Sequence, residues 1–201
     1  MKRICKTGIA VAIISALMAS SNASAAETWN FRSHKPLDTE KVVAVSDPAD
    51  EESELALCVI SERIPLSRNL QERMQTFCGD CAVPYEIALA VVYQESRFQS
   101  DAENGSCVGL MQINQVNGDR LFSKIGVTDL RDPEQNLQAG IWMLGELFEK
   151  YGEWNMALTA YNNGESGAKE KFFDKGMISC PYSESVLRKS DEWRKVLEEI
   201  S

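Results

Sequence analysis

The sequence contains a single histidine, His34, among its 201 residues. A site built on several histidines is therefore excluded, and a Ser-His-Asp hydrolase would have to use this one residue near the N-terminus. Positively charged residues are also outnumbered. The chain has 21 Lys and Arg and 30 Asp and Glu, which gives a net charge of -9. Nucleic-acid binding needs clustered Lys and Arg, so we do not expect a nucleic-acid partner.

Long hydrophobic runs are scarce. The apolar stretch Gly8–Ala19 is too short to cross a bilayer, follows three cations and precedes the small-residue pattern Ala23-Ser24-Ala25. This arrangement predicts a signal peptide over residues 1–25, cleaved after Ala25, with an uncleaved membrane anchor as the alternative. Cleavage would export the protein to the periplasm, the cell wall or the outside. It would remove three positive charges, leaving a mature chain of net charge -12 with no membrane span.

The rest of the chain divides into a polar stretch and a helical domain. Residues 26–53 are rich in Ser, Asp, Glu, Lys and Pro, which is typical of a linker or tail. Apolar stripes then recur at helical spacing, for example Leu66, Leu70, Met74 and Phe77. We therefore predict one compact, mostly α domain over residues 54–201.

Several helix boundaries can be predicted from local signals. Pro84 is suited to the first turn of a helix that runs to about Gln94 or Glu95. Asp132-Pro133-Glu134-Gln135 is a strong helix start, in which Asp132 caps and Gln135 completes a capping box. That helix ends near Tyr151-Gly152, and its predicted buried positions are Leu137, Ile141, Leu144 and Phe148. A shorter helix follows over about 155–161, and a last one places Tyr182, Val186, Trp193 and Leu197 on one stripe, whereas segment 99–108 is predicted to be a loop.

Five cysteines remain after the predicted signal peptide. Export permits disulfides, but an odd number leaves at least one thiol over, and the pairing cannot be deduced from the sequence. The Cys78-Gly-Asp-Cys81 spacing favours a structural disulfide over a redox pair or a zinc site. The candidate disulfide cysteines are Cys58, Cys78, Cys81, Cys107 and Cys180.

One carboxylate lies on a helix face that should be buried. Glu95 follows Ala88, Val91 and Val92 by seven, four and three residues, so it projects from their apolar face. Burial disfavours the charged form of a carboxyl group, so we expect a raised pKa, as a general acid requires. The alternative is a helix-end glutamate that points to water or pairs with Arg97.

Four motifs occur in order along the chain, namely Glu95-Ser96-Arg97-Phe98, the segment 109–114 (GLMQIN), the segment 160–164 (AYNNG), and Tyr182. Together they make residues 66–190 resemble the catalytic domain of the soluble lytic transglycosylases, the family 1, SLT-type domain. The resemblance implies an α+β, lysozyme-like fold with a substrate groove and no cofactor or metal.

The resemblance further implies a reaction with one acid-base residue, Glu95. The family cleaves the β-1,4 bond between N-acetylmuramic acid and N-acetylglucosamine in peptidoglycan and forms 1,6-anhydromuramic acid ends. Residues implied to bind the glycan strand are Ser96, Gly109, Met111, Gln112, Asn114, Tyr161, Asn162 and Tyr182.

Two other functions remain open from the residues. A lysozyme-type hydrolase of the same bond needs a second carboxylate, for which Asp101 and Glu103 are the nearest candidates in sequence. An inactive peptidoglycan-binding or assembly module would keep the fold without the chemistry. Because the mature chain is so acidic, we expect it to bind the cell wall through the groove and not through a basic patch. We also expect an envelope or secretion assembly to recruit the protein.

Overall fold

The computed structural model describes residues 29–30, 35–36 and 59–200. The predicted signal peptide, residues 1–25, and Cys58 lie outside the described residues, as does most of the predicted linker over 26–53. The chain divides after Glu54 into two units, each of which is treated separately. The described part of the first unit consists of strands β1 (Trp29–Asn30) and β2 (Lys35–Pro36), which pair antiparallel with Trp29 opposite Pro36.

The second unit is built mainly from helices, as predicted. Its helices are α1 (Arg68–Asp80), α2 (Tyr85–Ser96), α3 (Gly118–Ile125), α4 (Pro133–Tyr151), α5 (Trp154–Asn163), α6 (Glu165–Lys171) and α7 (Pro181–Glu198). Helices α3 and α6 are additions to the predicted set. No described helix is at once long and apolar enough to pass through a bilayer.

Helix α2 lies at the centre of the core. Its residues from Ile87 to Val92 are all buried, so this helix is apolar on every side and not along one stripe only. Helices α1 and α7 pack against it, and α5 packs against α4 and α7. Helix α7 runs antiparallel to α2, because Ser185 contacts Gln94 while Arg194 contacts Glu86.

The predicted start of α4 is confirmed in part. The Asp132 side chain accepts a 2.9 Å hydrogen bond from the Gln135 backbone N–H, and Gly152 follows the last helical residue in the left-handed conformation. The prediction that Gln135 completes the capping box is wrong, because its side-chain oxygen accepts a 2.7 Å hydrogen bond from the backbone N–H of Thr128. Gln135 therefore fixes the preceding loop to α4. Phe148, predicted to be buried, is half-buried and stacks on Trp154 at 4.3 Å between ring centroids.

The segment predicted to be a loop contains a hairpin. Strands β3 (Glu103–Asn104), β4 (Cys107–Val108) and β5 (Ile113–Asn114) form an antiparallel sheet in that order. Cys107 lies opposite both Asn104 and Asn114 in the register. Two-residue strands are too short to show alternating hydrophobicity, which is why the sequence pattern indicated a loop. The sheet joins the end of α2 to α3 and α4.

Candidate active site

Glu95 lies in the last turn of α2, where the helix leaves the core. Its side chain is half-buried, whereas Ala88, Val91 and Val92 behind it are fully buried. The helix ends one residue later because Arg97 adopts the left-handed conformation, with φ at 55°. The carboxyl group therefore lies at the boundary between the apolar interior and the surface, whereas periodicity predicted a buried face.

Tyr182 contacts this carboxyl group directly. Its hydroxyl donates a 2.5 Å hydrogen bond to Oε1 of Glu95. Pro181 begins α7, so Tyr182 lies in the first turn, and the antiparallel packing of α7 on α2 brings that turn to the end of α2. The contact joins the glutamate and the last of the four sequence motifs.

Tyr161 is the second tyrosine of the site. Its hydroxyl donates a 3.0 Å hydrogen bond to the Met111 carbonyl, which ties α5 to the segment before β5. Burial raises the pKa of the Tyr161 hydroxyl well above its usual value, and the negative charge of Glu95 raises it further. Tyr161 therefore stays neutral and remains a hydrogen-bond donor beside the glutamate.

The turn between β4 and β5 has the most unusual backbone of the site. Gly109 has φ at +77°, and a Cβ atom there would lie 2.3 Å from Nδ2 of Asn136. Gln112 also has positive φ, at 48°, and its Nε2 donates to the carbonyls of Ala102 at 2.8 Å and Gly109 at 2.9 Å. The Gln112 amide thus holds the turn against the hairpin. Glycine is required at 109 by its positive φ and by the nearby Asn136 side chain, which leaves no room for a Cβ atom.

Asn136 is a residue that the sequence reasoning missed. It lies in the first turn of α4 and is fully buried. Its Nδ2 donates hydrogen bonds to the carbonyls of Val108, at 2.9 Å, and Leu130, at 2.7 Å. Its Oδ1 accepts a 2.8 Å hydrogen bond from the Met111 N–H. All three partners are backbone groups that would otherwise be unsatisfied. No signal in the sequence marked it, because Val108 and Met111 lie more than 20 residues before it.

Three of the predicted binding residues are engaged with the protein itself. The Ser96 hydroxyl is buried and donates to the Val92 carbonyl at 3.1 Å, one helical turn back. The Met111 side chain is fully buried. The Asn114 side chain accepts a hydrogen bond from the Val116 N–H, which begins a short 3-10 turn. The remaining predicted residue, Asn162, is exposed on α5.

The two candidates for a second carboxylate lie elsewhere. Asp101 and Glu103 line a cavity of about 190 Å³, and Glu95 is not among its lining residues. Glu103 also forms an ion pair with Arg131.

Cys78 and Cys81, two of the candidate disulfide cysteines, carry free thiols in the structure, as does Cys180. Cys78 points into the core from α1, and Cys81 caps that helix through its backbone N–H. Burial raises the pKa of both thiols, that of Cys81 to about 11. Cys107 is buried in β4. Within residues 59–200, no three His, Cys, Asp or Glu side chains group as metal ligands would.

Known proteins resemble the helical unit over part of its length. Residues 79–176 match the family model described as the transglycosylase SLT domain. The chain is 34% identical over 113 residues to the membrane-bound lytic murein transglycosylase F of Desulfosudis oleivorans, covering 52% of this chain and 23% of that protein. It is 35% identical over 92 residues to the transglycosylase of Enterobacteria phage PRD1, covering 43% of this chain and 33% of that one. The chain thus spans a third or less of these relatives.

The fold is also found in a solved structure. An inactive mutant of the lytic transglycosylase Slt from Pseudomonas aeruginosa superposes with a TM-score of 0.57 at 21% identity, covering 69% of this chain and 26% of the other. At this identity the likeness concerns the fold, and the lysozyme-like, mostly α fold expected from the motifs is confirmed.

Proposed function

We propose, from the premise that residues 79–176 form a transglycosylase SLT domain, that this protein is a peptidoglycan lytic transglycosylase. It would cleave the β-1,4 bond between N-acetylmuramic acid and N-acetylglucosamine and leave 1,6-anhydromuramic acid ends. The names of the relatives, lytic murein transglycosylases among them, support this activity. The observation that carries the proposal is the half-buried Glu95 carboxyl group bound by Tyr182 at the end of the central helix.

The first step is proton donation. Glu95 gives its proton to the oxygen of the leaving N-acetylglucosamine as the glycosidic bond breaks. The Tyr182 hydrogen bond holds Oε1, so the acidic proton resides on Oε2. The N-acetyl group of the muramic acid stabilises the positive charge that develops at its anomeric carbon, which is the substrate-assisted variant of glycoside cleavage.

The second step returns the proton to the same group. The Glu95 carboxylate removes the proton of the muramic acid 6-hydroxyl, whose oxygen bonds to the anomeric carbon and closes the anhydro ring. The Tyr182 hydroxyl stabilises the carboxylate between the two steps, because hydrogen bonds to charged acceptors are stronger than those to neutral ones. Tyr161 holds the wall beside it through the Met111 carbonyl.

The hydrolase alternative requires a base to activate water on the opposite side of the sugar. Asp101 and Glu103 line a cavity that does not include Glu95, and Glu103 is paired with Arg131. The two reactions are distinguished by their products.

Mass analysis of soluble products from purified peptidoglycan tests the proposal. A transglycosylase yields muropeptides one water lighter than a hydrolase does, because ring closure replaces the attack of water. Reducing muramic acid ends would refute the transglycosylase and favour the hydrolase. Intact peptidoglycan would favour an inactive binding or assembly module.

We also propose that the protein is exported, with cleavage after Ala25, to the compartment that holds peptidoglycan. N-terminal sequencing of the exported protein tests this, and a chain that still begins at Met1 would contradict it. The expected net charge of -12 disfavours attraction to anionic wall polymers, so binding would depend on the groove and on recruitment by an envelope or secretion assembly. Wall affinity that falls steeply with added salt would contradict this view.

A further inference from the structure

The two residues that follow helix α2, Arg97 and Phe98, form a turn with an unusual backbone. Their φ angles are 55° and 65°, so both lie in the left-handed region. Positive φ is uncommon for any residue with a Cβ atom, and for one as bulky as phenylalanine it is a genuine outlier. Such a conformation persists only where surrounding contacts hold it in place, and it is found often at active sites. Neither residue takes part in the two proposed proton transfers.

Aromatic contacts anchor this left-handed turn. The Phe98 ring meets Trp193 of α7 edge to face, with the ring centroids 5.7 Å apart and the planes at 82°. It also lies beside the Tyr93 ring of α2, at 6.3 Å between centroids. The Arg97 guanidinium lies over the same Tyr93 ring, 3.9 Å from its centroid. Phe98 is therefore held by both α2 and α7, and Arg97 by α2.

The turn fixes the direction in which the chain leaves α2. After the turn, the Gln99 N–H donates to the Ser96 carbonyl at 3.1 Å, and the Ala102 N–H donates to the Gln99 carbonyl at 3.3 Å. The Ala102 carbonyl in turn accepts from the Gln112 amide at 2.8 Å. Hydrogen bonds thus lead stepwise from the last residue of α2 to Gln112. A change in the backbone of the turn would move this segment relative to Glu95.

Helix α7 meets the end of α2 at two places. Tyr182 in its first turn holds Oε1 of Glu95, and Trp193, about three turns further on, meets the Phe98 ring. The contact between Phe98 and Trp193 therefore helps to set where α7 lies against α2, and with it the position of the Tyr182 hydroxyl.

We propose that Phe98 is a positioning residue for Glu95, an inference that rests on the proposed function. Its ring, packed against α2 and α7, keeps the turn left-handed and so fixes the carboxyl group relative to Tyr182 and to Gln112. Displacement of a catalytic group by about 1 Å can slow a reaction about 100-fold, so a residue that acts only through Glu95 can have a large effect on the rate.

Two variants of Phe98 separate positioning from simple packing. Phe98→Ala removes the ring and keeps a Cβ atom that disfavours positive φ, so kcat should fall about 10- to 100-fold while KM stays close to the wild-type value. Phe98→Gly also removes the ring, but glycine adopts positive φ freely, so its kcat should exceed that of Phe98→Ala several-fold. Both constants are measured from the release of anhydro products from soluble glycan strands. A residue that only fills space would not favour glycine over alanine.

The matched control is Phe148→Ala. Phe148 is also half-buried and stacks on a tryptophan, Trp154, at 4.3 Å between centroids, so this variant loses a comparable ring contact. Its kcat should stay close to that of the wild type. Amide hydrogen exchange reports on the turn without any substrate: the Gln99 N–H should exchange faster in Phe98→Ala and at the wild-type rate in Phe148→Ala.

A second pair of variants keeps the test decisive if Phe98→Ala does not fold. Arg97 is exposed, so Arg97→Val and Arg97→Gly should both fold, and both lose the contact with Tyr93. Valine strongly disfavours positive φ and glycine does not, so kcat should be several-fold lower in Arg97→Val.

Four results would overturn the inference. These are equal kcat in the two Arg97 variants, a kcat of Phe98→Gly no higher than that of Phe98→Ala, an equal loss in Phe148→Ala, and unchanged exchange of the Gln99 N–H in Phe98→Ala. Failure of the proposed function would appear instead in the wild type, as reducing ends or intact glycan strands, and the exchange measurement would still report on the turn.

Discussion

The hydroxyl of Tyr182 donates a hydrogen bond of 2.5 Å to Oε1 of Glu95, although 87 residues separate the two in the chain. Helix α7 alone carries the tyrosine, and it reaches the carboxyl group because it packs antiparallel along α2. The proposed acid-base group is therefore positioned by the contact between the central helix and the last one.

Tyr182→Phe should slow the reaction without unfolding the protein. A hydrogen bond to a charged group contributes about 1.5–3 kcal/mol, so loss of the hydroxyl should lower kcat about 10- to 100-fold. The measurement is the rate of anhydromuropeptide release. Tyr151→Phe is the control, because its hydroxyl also donates to a glutamate, Glu165, but at the surface. Equal rates for the two variants would contradict the role of Tyr182.

Glu95→Gln should abolish cell-wall digestion and leave the fold intact. The amide cannot donate and then recover a proton, but its oxygen can still accept the hydrogen bond from Tyr182. Product release and the melting temperature should be measured together, with Glu62→Gln at an exposed position as the control. Undiminished digestion by Glu95→Gln would eliminate the mechanism.

Asn136→Leu should be strongly destabilising although the two side chains have the same number of heavy atoms. It leaves the Val108 and Leu130 carbonyls and the Met111 N–H buried without partners, which should cost about 3 kcal/mol or more of the free energy of unfolding. Urea denaturation measures this. Asn155→Leu, on the partly exposed start of α5, should cost much less. A loss of similar size in both would show that the buried network contributes little.

Tyr161 should make stability fall at high pH. Its pKa in the folded protein is raised above the usual value of about 10, chiefly by burial. Above about pH 10 the unfolded chain therefore releases a proton that the folded protein keeps, and the free energy of unfolding falls by up to about 1.4 kcal/mol per pH unit. The contribution is fully present below pH 10.

Urea unfolding between about pH 9 and 11 measures this slope. Cys78 and Cys81, whose pKa values are also raised, contribute to the slope in this window. Tyr161→Phe should therefore reduce the slope above about pH 10 without removing it, whereas Tyr93→Phe, at a partly exposed position of α2, should leave it in place. An unchanged slope in Tyr161→Phe would contradict the raised pKa.

Cys78 and Cys81 should react slowly with alkylating reagents in the native protein. Thiolate is the reactive form, and a pKa of about 11 for Cys81, with that of Cys78 also raised, makes it scarce near neutral pH. Iodoacetamide labelling followed by peptide mass analysis should show modification about 100-fold slower than in urea. Fast native labelling, or labelling that requires a reductant, would contradict the free, buried thiols.

Much of the helical fold could be predicted from the sequence, because its signals are local. Asp132 caps α4 and Gly152 ends it, as their positions in sequence indicated. Glu95 could be singled out because three buried residues share its face. The four ordered motifs then predicted the fold that the solved structure also has.

The rest depended on contacts between distant segments. The sequence does not determine whether the Ser96 hydroxyl faces a groove or its own helix, because both suit a helix end. Asn136 acts on backbone groups more than 20 residues away, so no short motif contains it. Likewise, the spacing of Cys78 and Cys81 does not determine whether their thiols pair, and the structure has both thiols free.

The close approach of Gly109 and Asn136 limits the order in which mutations can accumulate. A side chain at 109 would strain the backbone at its positive φ and would also need a smaller residue at 136. A smaller residue at 136 gives up the amide that satisfies three backbone groups. Any evolutionary route that changes both positions one at a time therefore passes through a weakened intermediate. We expect the pair to vary together or not at all in descendants of this chain.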